Sequence, residues 1–253
     1  MPINVYNSVM EHSGRLRSGA LQDSVYKALR DSIINLNLAP GTAISEKEIS
    51  LRFNVSRTPV RETFIHLSKE GLVKVIPQKE TLVSLIDLRR VEQEFFLRES
   101  LEIAVLEPFL QHCGPAHFAE LTALLDMQSA ALSRNAYTDF INYDDRFHQI
   151  LFEAAGQELG WEVLSGISGH YHRVRMLTVR SAGIADEKVN EHKNILSALK
   201  KKDAGKAQGL LYAHLHKLDM EEKLLREKFP TYFVPEDEKN AFDVDFGGMP
   251  RLA

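Results

Sequence analysis

The chain is poor in cysteine: Cys113 is the single one among 253 residues. That excludes an internal disulfide framework and fits a reducing, cytoplasmic setting. Long apolar runs are missing too. No stretch approaches the roughly 20 residues that a membrane-spanning helix needs. The opening MPINVYNSVMEHSGRLRSGA has no apolar block of signal-peptide type. The expectation is a cytoplasmic protein with no membrane partner. Positive charge is not in excess either. The formal net charge is -4, which taken alone speaks against a nucleic-acid binder. Internal repeats and low-complexity tracts are absent.

What is present is unevenly placed. Residues 21–90 hold 11 Lys or Arg against 8 Asp or Glu, a net +3, so residues 91–253 are acidic. A mildly basic segment ahead of an acidic remainder suits a DNA-reading module fused to something else. At this length, with a hydrophobic fraction of 44%, each part can bury its own core.

Residues 1–20 are polar and aperiodic and read as a flexible tail. In LQDSVYKALRDSIINLNL, Val25, Leu29, Ile33 and Leu36 recur at helical spacing, and APG at 39–41 ends that helix. Ser45 and Glu48 form the signature of a capping box for a second helix, which Asn54 ends. Ser56 caps a third, with Pro59 in its first turn and Gly71 closing it. LVKVIPQKETLVSLI alternates around a polar tip at 78–80 and predicts a two-stranded hairpin. Three helices and a hairpin over 21–86 make a winged helix-turn-helix. From 87 to 228 the periodicity is helical throughout and predicts an all-α bundle of six to seven helices. Residues 229–253, rich in Pro, Gly and Asp, read as a C-terminal tail. The expected fold class is therefore mostly α.

Arg57 and Arg61 lie four residues apart on a helix face distinct from the inward face of Phe64 and Leu67. A recognition helix presents such side chains to the major groove, where Arg pairs bidentately with guanine. Lys47 at the start of the second helix reaches the same groove or its backbone. Lys79 at the hairpin tip reaches the minor groove or a phosphate. The stretch LAPGTAISEKEISLRFNVSRTPVRETFIHLSKEGLVKVIPQKETLV closely resembles the N-terminal domain of GntR-family bacterial transcription regulators. The resemblance implies that Lys47, Arg57, Thr58 and Arg61 face operator DNA. One departure is the tip: where the family pattern has P-x-R-G, this chain has Pro77, Gln78, Lys79 and Glu80. A carboxylate there faces phosphate charge, so the operator preference is expected to differ.

The helical part places polar groups on apolar stripes. Asp144 and His148 share a face with Phe140, Phe147 and Leu151; His192 lies with Ile195, Leu196 and Leu199; His214 lies with Ala207, Leu211 and Leu218. Burying one unpaired polar group costs several kcal/mol at worst, so four on three helices call for a shared partner. Three imidazoles and a carboxylate suit a divalent metal such as zinc, nickel or manganese. A metal-free polar pocket that binds ligand directly is the competing reading. This part is similar to the helical FCD effector domain of the FadR-type branch of the GntR family. That branch carries Asp-x-x-x-His, Glu-His and a final His, matched here by Asp144, His148, Glu191 with His192, and His214. The resemblance implies metal-dependent binding of a small carboxylate such as a sugar acid or organic acid. Arg98 points inward from the stripe of Val91, Phe95, Leu101 and Val105 and needs an anion, either Glu102 or an effector carboxylate. Arg173 and Arg175 are further candidates. His170, His172 and His216 are expected at the rim or surface.

The leading expectation is a homodimeric, ligand-responsive transcription regulator of repressor type, not an enzyme. Two alternatives remain at this level. One is a metal-dependent enzyme acting on a small carboxylate; the other is a helical domain with a purely structural metal.

Overall fold

The computed structural model describes residues 18–76, 79–181 and 185–235. The N-terminal head comprises α1 (Ser18–Ile34), β1 (Ala43–Ile44), α2 (Glu46–Phe53), α3 (Arg57–Lys69), β2 (Val73–Ile76) and β3 (Glu80–Val83). Its core is what the periodicity predicts: Val25, Leu29 and Ile33 of α1 pack on Ile49 of α2 and on Val60, Phe64 and Leu67 of α3. At the start of α2 the Ser45 hydroxyl accepts from Glu48 N. Asn54 ends it in the left-handed region at φ 52°. Gly71 takes φ 74°, and Leu72 N then donates to Leu67 O at 2.9 Å, closing α3.

Three details depart from expectation. Helix α1 stops at Ile34, well before the APG segment, because Asn35 and Leu36 turn aside: Leu36 takes φ 57° and joins the apolar cluster of the following domain. Ser56 stands at the N-cap of α3 without a side-chain cap bond. Pro59 occupies the position whose N–H such a cap would accept from, and proline has none. The hairpin gains a third strand, since β1 pairs antiparallel with β3 (Ala43 with Leu82, Ile44 with Thr81), giving the order β1-β3-β2. Two residues are too short a run to signal a strand.

The second domain has seven helices among the described residues: α4 (Leu88–His112), α5 (Pro115–Ser133), α6 (Tyr137–Ala154), α7 (Glu158–Ile167), α8 (Gly169–Arg180), α9 (Ala185–Lys200) and α10 (Ala204–Lys228). Val105, Phe109, Leu121, Phe147, Phe152, Leu199 and Leu211 bring α4, α5, α6, α9 and α10 into one core. The expected C-terminal tail is in part a fixed element. Pro230–Tyr232 form a 3-10 turn, and Phe233 is buried against the linker, where Ile86 N donates to Tyr232 O and Val234 N to Ile86 O. Residues 1–17 and 236–253 of the two expected tails lie outside the described residues, as do residues 77–78 of the wing tip. No described helix is long and apolar enough to cross a membrane.

The chain breaks between α7 and α8 at Ser168, and the break faces the head. Leu72, fully buried, packs so close to Gly169 that a Cβ there would approach Leu72 Cδ2 to 2.7 Å. Arg173, also fully buried, donates to Ser84 O at 2.6 Å and Gly169 O at 3.2 Å. His170 accepts from Asp87 N at 3.0 Å, and its Nε2 lies 3.2 Å from Gly71 O. Arg180 donates to Asn35 O. His170 and His172 are therefore buried, which corrects their expected place at the rim. Arg173 serves this junction rather than an effector. Helical periodicity within α8 cannot register a face that packs on another domain.

The first turn of α8 is capped from α4. Glu94 accepts from His170 N at 3.0 Å and Tyr171 N at 2.8 Å, while Arg90 donates to its other oxygen. Glu94→Ala leaves two buried N–H groups without an acceptor, at about 1–3 kcal/mol each. The expected fall in Tm is about 2–4 °C for each kcal/mol. Burial, opposed by the Tyr171 N–H and Arg90, raises the Glu94 carboxyl from 4.5 to about 7. A pKa raised on folding contributes stability that is full below 4.5 and is lost as pH rises through 7. Glu94→Gln, which does not titrate, removes that decline; denaturant titrations at pH 5 and pH 8 measure it.

Candidate metal centre and DNA-reading face

Helix α6 is amphipathic, and Asp144 and His148, one turn apart, lie on its buried face beside Phe140, Phe147 and Leu151. His192 comes from α9 and His214 from α10. Asp144, His148, His192 and His214 are all buried. One ligand atom from each falls within 4.8 Å of the others. His192 Nε2 lies 3.2 Å from His214 Nε2 and 3.5 Å from Asp144 Oδ1; His148 Nε2 lies 3.8 Å from Asp144 Oδ2. The four residues predicted from the stripes are thus brought together.

The outer contacts decide what this cluster can do. His148 Nδ1 is 2.7 Å from Glu102 Oε2, and His214 Nδ1 is 2.8 Å from Glu191 Oε2. A carboxylate oxygen only accepts, so each Nδ1 carries the proton and each Nε2 presents a lone pair. His192 Nδ1 likewise donates to Gln128 Oε1 at 3.0 Å. Three imidazoles are therefore each held from behind at Nδ1 and aim Nε2 at one point beside Asp144. That is the carboxylate–histidine arrangement that orients metal ligands. Among the described residues neither His148 Nε2 nor, despite its 2.7 Å contact with Glu102, His148 Nδ1 makes a hydrogen bond of ordinary geometry. Facing lone pairs at 3.2 Å repel, and a cation between them removes the repulsion. The ring of Phe147 stacks on His192 at 4.5 Å and excludes water from that side.

The charges agree with the geometry. Burial, with the neighbouring His214, holds His192 well below its usual range; burial holds His214 at about 4 although Glu191 opposes it. Both are neutral at neutral pH, the state in which imidazole binds a metal. Burial pushes the Asp144 carboxyl up, but the Arg175 guanidinium outweighs it and holds it well below the carboxylate range. The donor set fits a borderline divalent ion.

Two arginines border the cluster. Arg98 Nε donates to Glu102 Oε1 at 2.5 Å, so Glu102 joins Arg98 to the candidate ligand His148. Burial raises Glu102, but Arg98 and His148 prevail and pull it down to about 2. Arg175 donates to Asp144 Oδ2 and, through Nη1, to Asp145 Oδ1 at 2.7 Å. Arg98, Asp144, Tyr171, Arg175 and His214 line a cavity of about 30 Å³. Glu102 is the internal anion that the sequence offers for Arg98; sequence patterning misses its second contact, with His148, and misses Gln128 altogether. Gln128 reads as an ordinary polar position on α5, and its role exists only across the α5–α9 contact.

On the head, Lys47, Arg57, Thr58, Arg61 and Lys79 are all exposed. Arg61 Nε and Nη2 donate to Glu46 Oε1 and Oε2 at 2.9 and 3.0 Å, a fork that spans α2 and α3 and fixes the guanidinium plane. Lys79 Nζ lies 3.9 Å from Glu80, so the unusual wing carboxylate offsets the wing's lysine.

Comparison with known proteins places both halves. Residues 21–83 match the model of bacterial regulatory proteins of the gntR family, and residues 94–217 match the FCD domain. The chain is 32% identical over 216 residues to the HTH-type transcriptional repressor RspR of Escherichia coli (strain K12), covering 85% of this chain and 95% of that one. It is 33% identical over 210 residues to an HTH-type transcriptional regulator in an unstable DNA locus of Streptomyces ambofaciens, covering 83% and 88%. Among solved structures, E. coli McbR/YncC aligns with a TM-score of 0.69 at 20% identity, covering 83% of this chain and 98% of that one, a likeness of fold.

Proposed function

We propose a metal-dependent, effector-controlled repressor, starting from the fact that this chain belongs to the GntR family of bacterial regulatory proteins and is a DNA-binding transcription regulator, not an enzyme. Lys47, Arg57, Thr58 and Arg61 read operator DNA, with Lys79 on the flanking backbone. Two copies bind a two-fold operator. The repressor sign follows the E. coli relative's name.

Asp144, His148, His192 and His214 hold one divalent ion, zinc, nickel or manganese. When bound, it supplies Lewis-acid positions for an effector carboxylate. Glu102, Gln128 and Glu191 orient the imidazoles, and Arg98 and Arg175 receive the effector's charge. The observation that carries this reading is the convergence of three Nε2 atoms, each ring having an acceptor oxygen 2.7, 3.0 or 2.8 Å from its Nδ1. An effector shifts the DNA-binding equilibrium only by preferring one placement of the heads.

The test is elemental analysis of purified protein combined with sedimentation and operator-binding titrations, with and without chelator and small carboxylates. About one ion per chain, a dimer, and operator release by a carboxylate that requires the ion are expected. A stoichiometric ion with no response to any carboxylate would leave the ion structural and overturn the effector role.

A further inference from the structure

Residues 84–87 join β3 of the head to α4 of the helical domain. The two ends of this linker are tied to the domains beside them. Ser84 N donates to Leu72 O of the head at 3.0 Å, and Ser84 O accepts from Arg173 of α8 at 2.6 Å. Asp87 N donates to His170 of α8 at 3.0 Å, and Asp87 O accepts from Val91 N of α4. Ile86 stands between them, and its main-chain bonds go elsewhere. Its N–H donates to Tyr232 O at 2.8 Å, and its carbonyl accepts from Val234 N at 3.0 Å. The two segments form a parallel bridge, Ile86 with Phe233. Ile86 is fully buried. Without the segment after α10, its N–H and C=O would lie unpaired away from water, or the linker would have to open.

That segment is itself fixed at its base. Phe229 N donates to Leu225 O of α10 at 2.8 Å, and Tyr232 N to Phe229 O at 3.0 Å. The rings of Phe229 and Tyr232 stack at 5.6 Å. Lys228 Nζ donates to Ser181 Oγ, at the end of α8, at 3.4 Å. Phe233 is 4% exposed. It belongs to the apolar cluster that holds Ile86 of the linker, Leu88 of α4, Val179 of α8 and Leu36 of the head. Segment, linker and head therefore meet in one cluster. The segment lies past residues 94–217, which match the FCD domain.

We propose that residues 229–234 are a strap: they lock the interdomain linker at Ile86 and so fix how the DNA-reading head stands on the helical domain. With the strap seated, the linker has both main-chain groups of Ile86 engaged and cannot swivel. With it unseated, the head hangs on Ser84 and Asp87 alone and takes more than one placement. In a dimer, heads of fixed placement read half-sites at one spacing; unstrapped heads tolerate others. The consequence for DNA rests on the reading that two copies bind a two-fold operator. The lock on the linker does not.

The test uses full-length protein and two substitutions. Val234→Pro removes the N–H that bonds Ile86 O and leaves every buried ring in place. Proline suits the position: Phe233, at φ −105° and ψ 150°, is extended as a residue before proline must be, and Val234 already precedes Pro235. Phe233→Ala removes the buried ring, and Val234→Ala, which keeps the N–H, is the control. Native-state amide exchange at Ile86 reads the strap directly. Exchange is expected to quicken about fivefold in Val234→Pro, for one lost hydrogen bond, and about a hundredfold or more in Phe233→Ala. Val234→Ala should match wild type. The Ser84 amide, bonded inside the head, should be unchanged in Val234→Pro. If Phe233→Ala does not fold, Val234→Pro still decides. Operator titrations follow, with a base pair inserted or deleted between the half-sites. Wild type should lose at least about tenfold in affinity on either change of spacing, and Val234→Pro about twofold or less. Ile86 exchange equal to wild type in Val234→Pro would overturn the strap. Faster exchange with the wild-type spacing preference would overturn its hold on the head. If wild type prefers no operator at all, the DNA reading fails, and the exchange rates still decide the lock on the linker.

Discussion

The double variant Arg57→Ala/Arg61→Ala is expected to lose about half or more of the free energy by which it prefers its operator to bulk DNA. Each bidentate base contact contributes about 1–3 kcal/mol of discrimination, so the pair accounts for about 2–6 kcal/mol. The whole gap between specific and non-specific binding is about 4–10 kcal/mol. Removing both side chains therefore erases about half of it or more. The fold is not at risk, because both residues are exposed and the Arg61 side chain keeps 65% of its accessible surface; such substitutions stay within about 0.5 kcal/mol. Arg61 has a further requirement. Its fork with Glu46 holds the guanidinium in one plane, and Lys cannot reproduce that geometry. Arg61→Lys keeps the charge and should retain bulk affinity while losing sequence preference. Lys47→Ala should act in the opposite sense, weakening all sequences alike and lowering the salt slope by about 0.9 if it meets a phosphate. Anisotropy titrations against operator and scrambled DNA at two salt concentrations separate these outcomes. A footprint for the double variant equal to wild type would place the reading surface elsewhere.

Those contrasts also explain which parts of the molecule the sequence makes legible. The head was readable because its signals are local: Ser45 with Glu48, Asn54, Gly71 and the inward stripe of α3 each act within a few residues. The clustering of Asp144, His148, His192 and His214 was readable for a related reason. His192 and His214 sit on stripes that are otherwise apolar, and a buried imidazole on such a face needs a partner. What escaped the reading depends on contacts between distant segments. Gln128 gains its role only when α5 meets α9, and Glu102, foreseen as the partner of Arg98, reaches His148 only when α4 meets α6. His170 and His172 are buried, so the periodicity of α8 misplaces them, while Arg173 turns its donors to the head. Leu36 leaves α1 to pack on the next domain, which ends that helix before the proline and glycine can. Phe233 pairs with Ile86 nearly 150 residues away in sequence, and no local pattern anticipates that part of the supposed tail closes on the linker.

His192→Ala is expected to abolish stoichiometric metal and, with it, the thermal response to metal. Asp144, His148 and His214 would remain, but His192 Nε2 is the imidazole atom that bridges His214 Nε2 and Asp144 Oδ1, at 3.2 and 3.5 Å. Its loss also leaves Gln128 Oε1 without its imidazole partner and opens a void under the stacked ring of Phe147. An ion that binds only the folded chain stabilises it by about 4.1 kcal/mol at a thousand times its Kd. At about 2–4 °C for each kcal/mol, chelator-treated wild type should melt about 8–16 °C below the loaded protein. In His192→Ala the two curves should coincide, near the chelated wild type or somewhat below it because of the void. Gln128→Ala keeps all four ligands and removes only the group that orients one of them. It should bind metal about 10–100-fold more weakly yet recover full occupancy when metal is raised, which a void alone would not do. The four ligands sit on α6, α9 and α10, whereas the DNA face is on α2 and α3, so both variants should still bind operator without effector. Elemental analysis decides the matter: one ion per chain retained by His192→Ala would remove α9 from the site and with it the convergence on which the control mechanism depends.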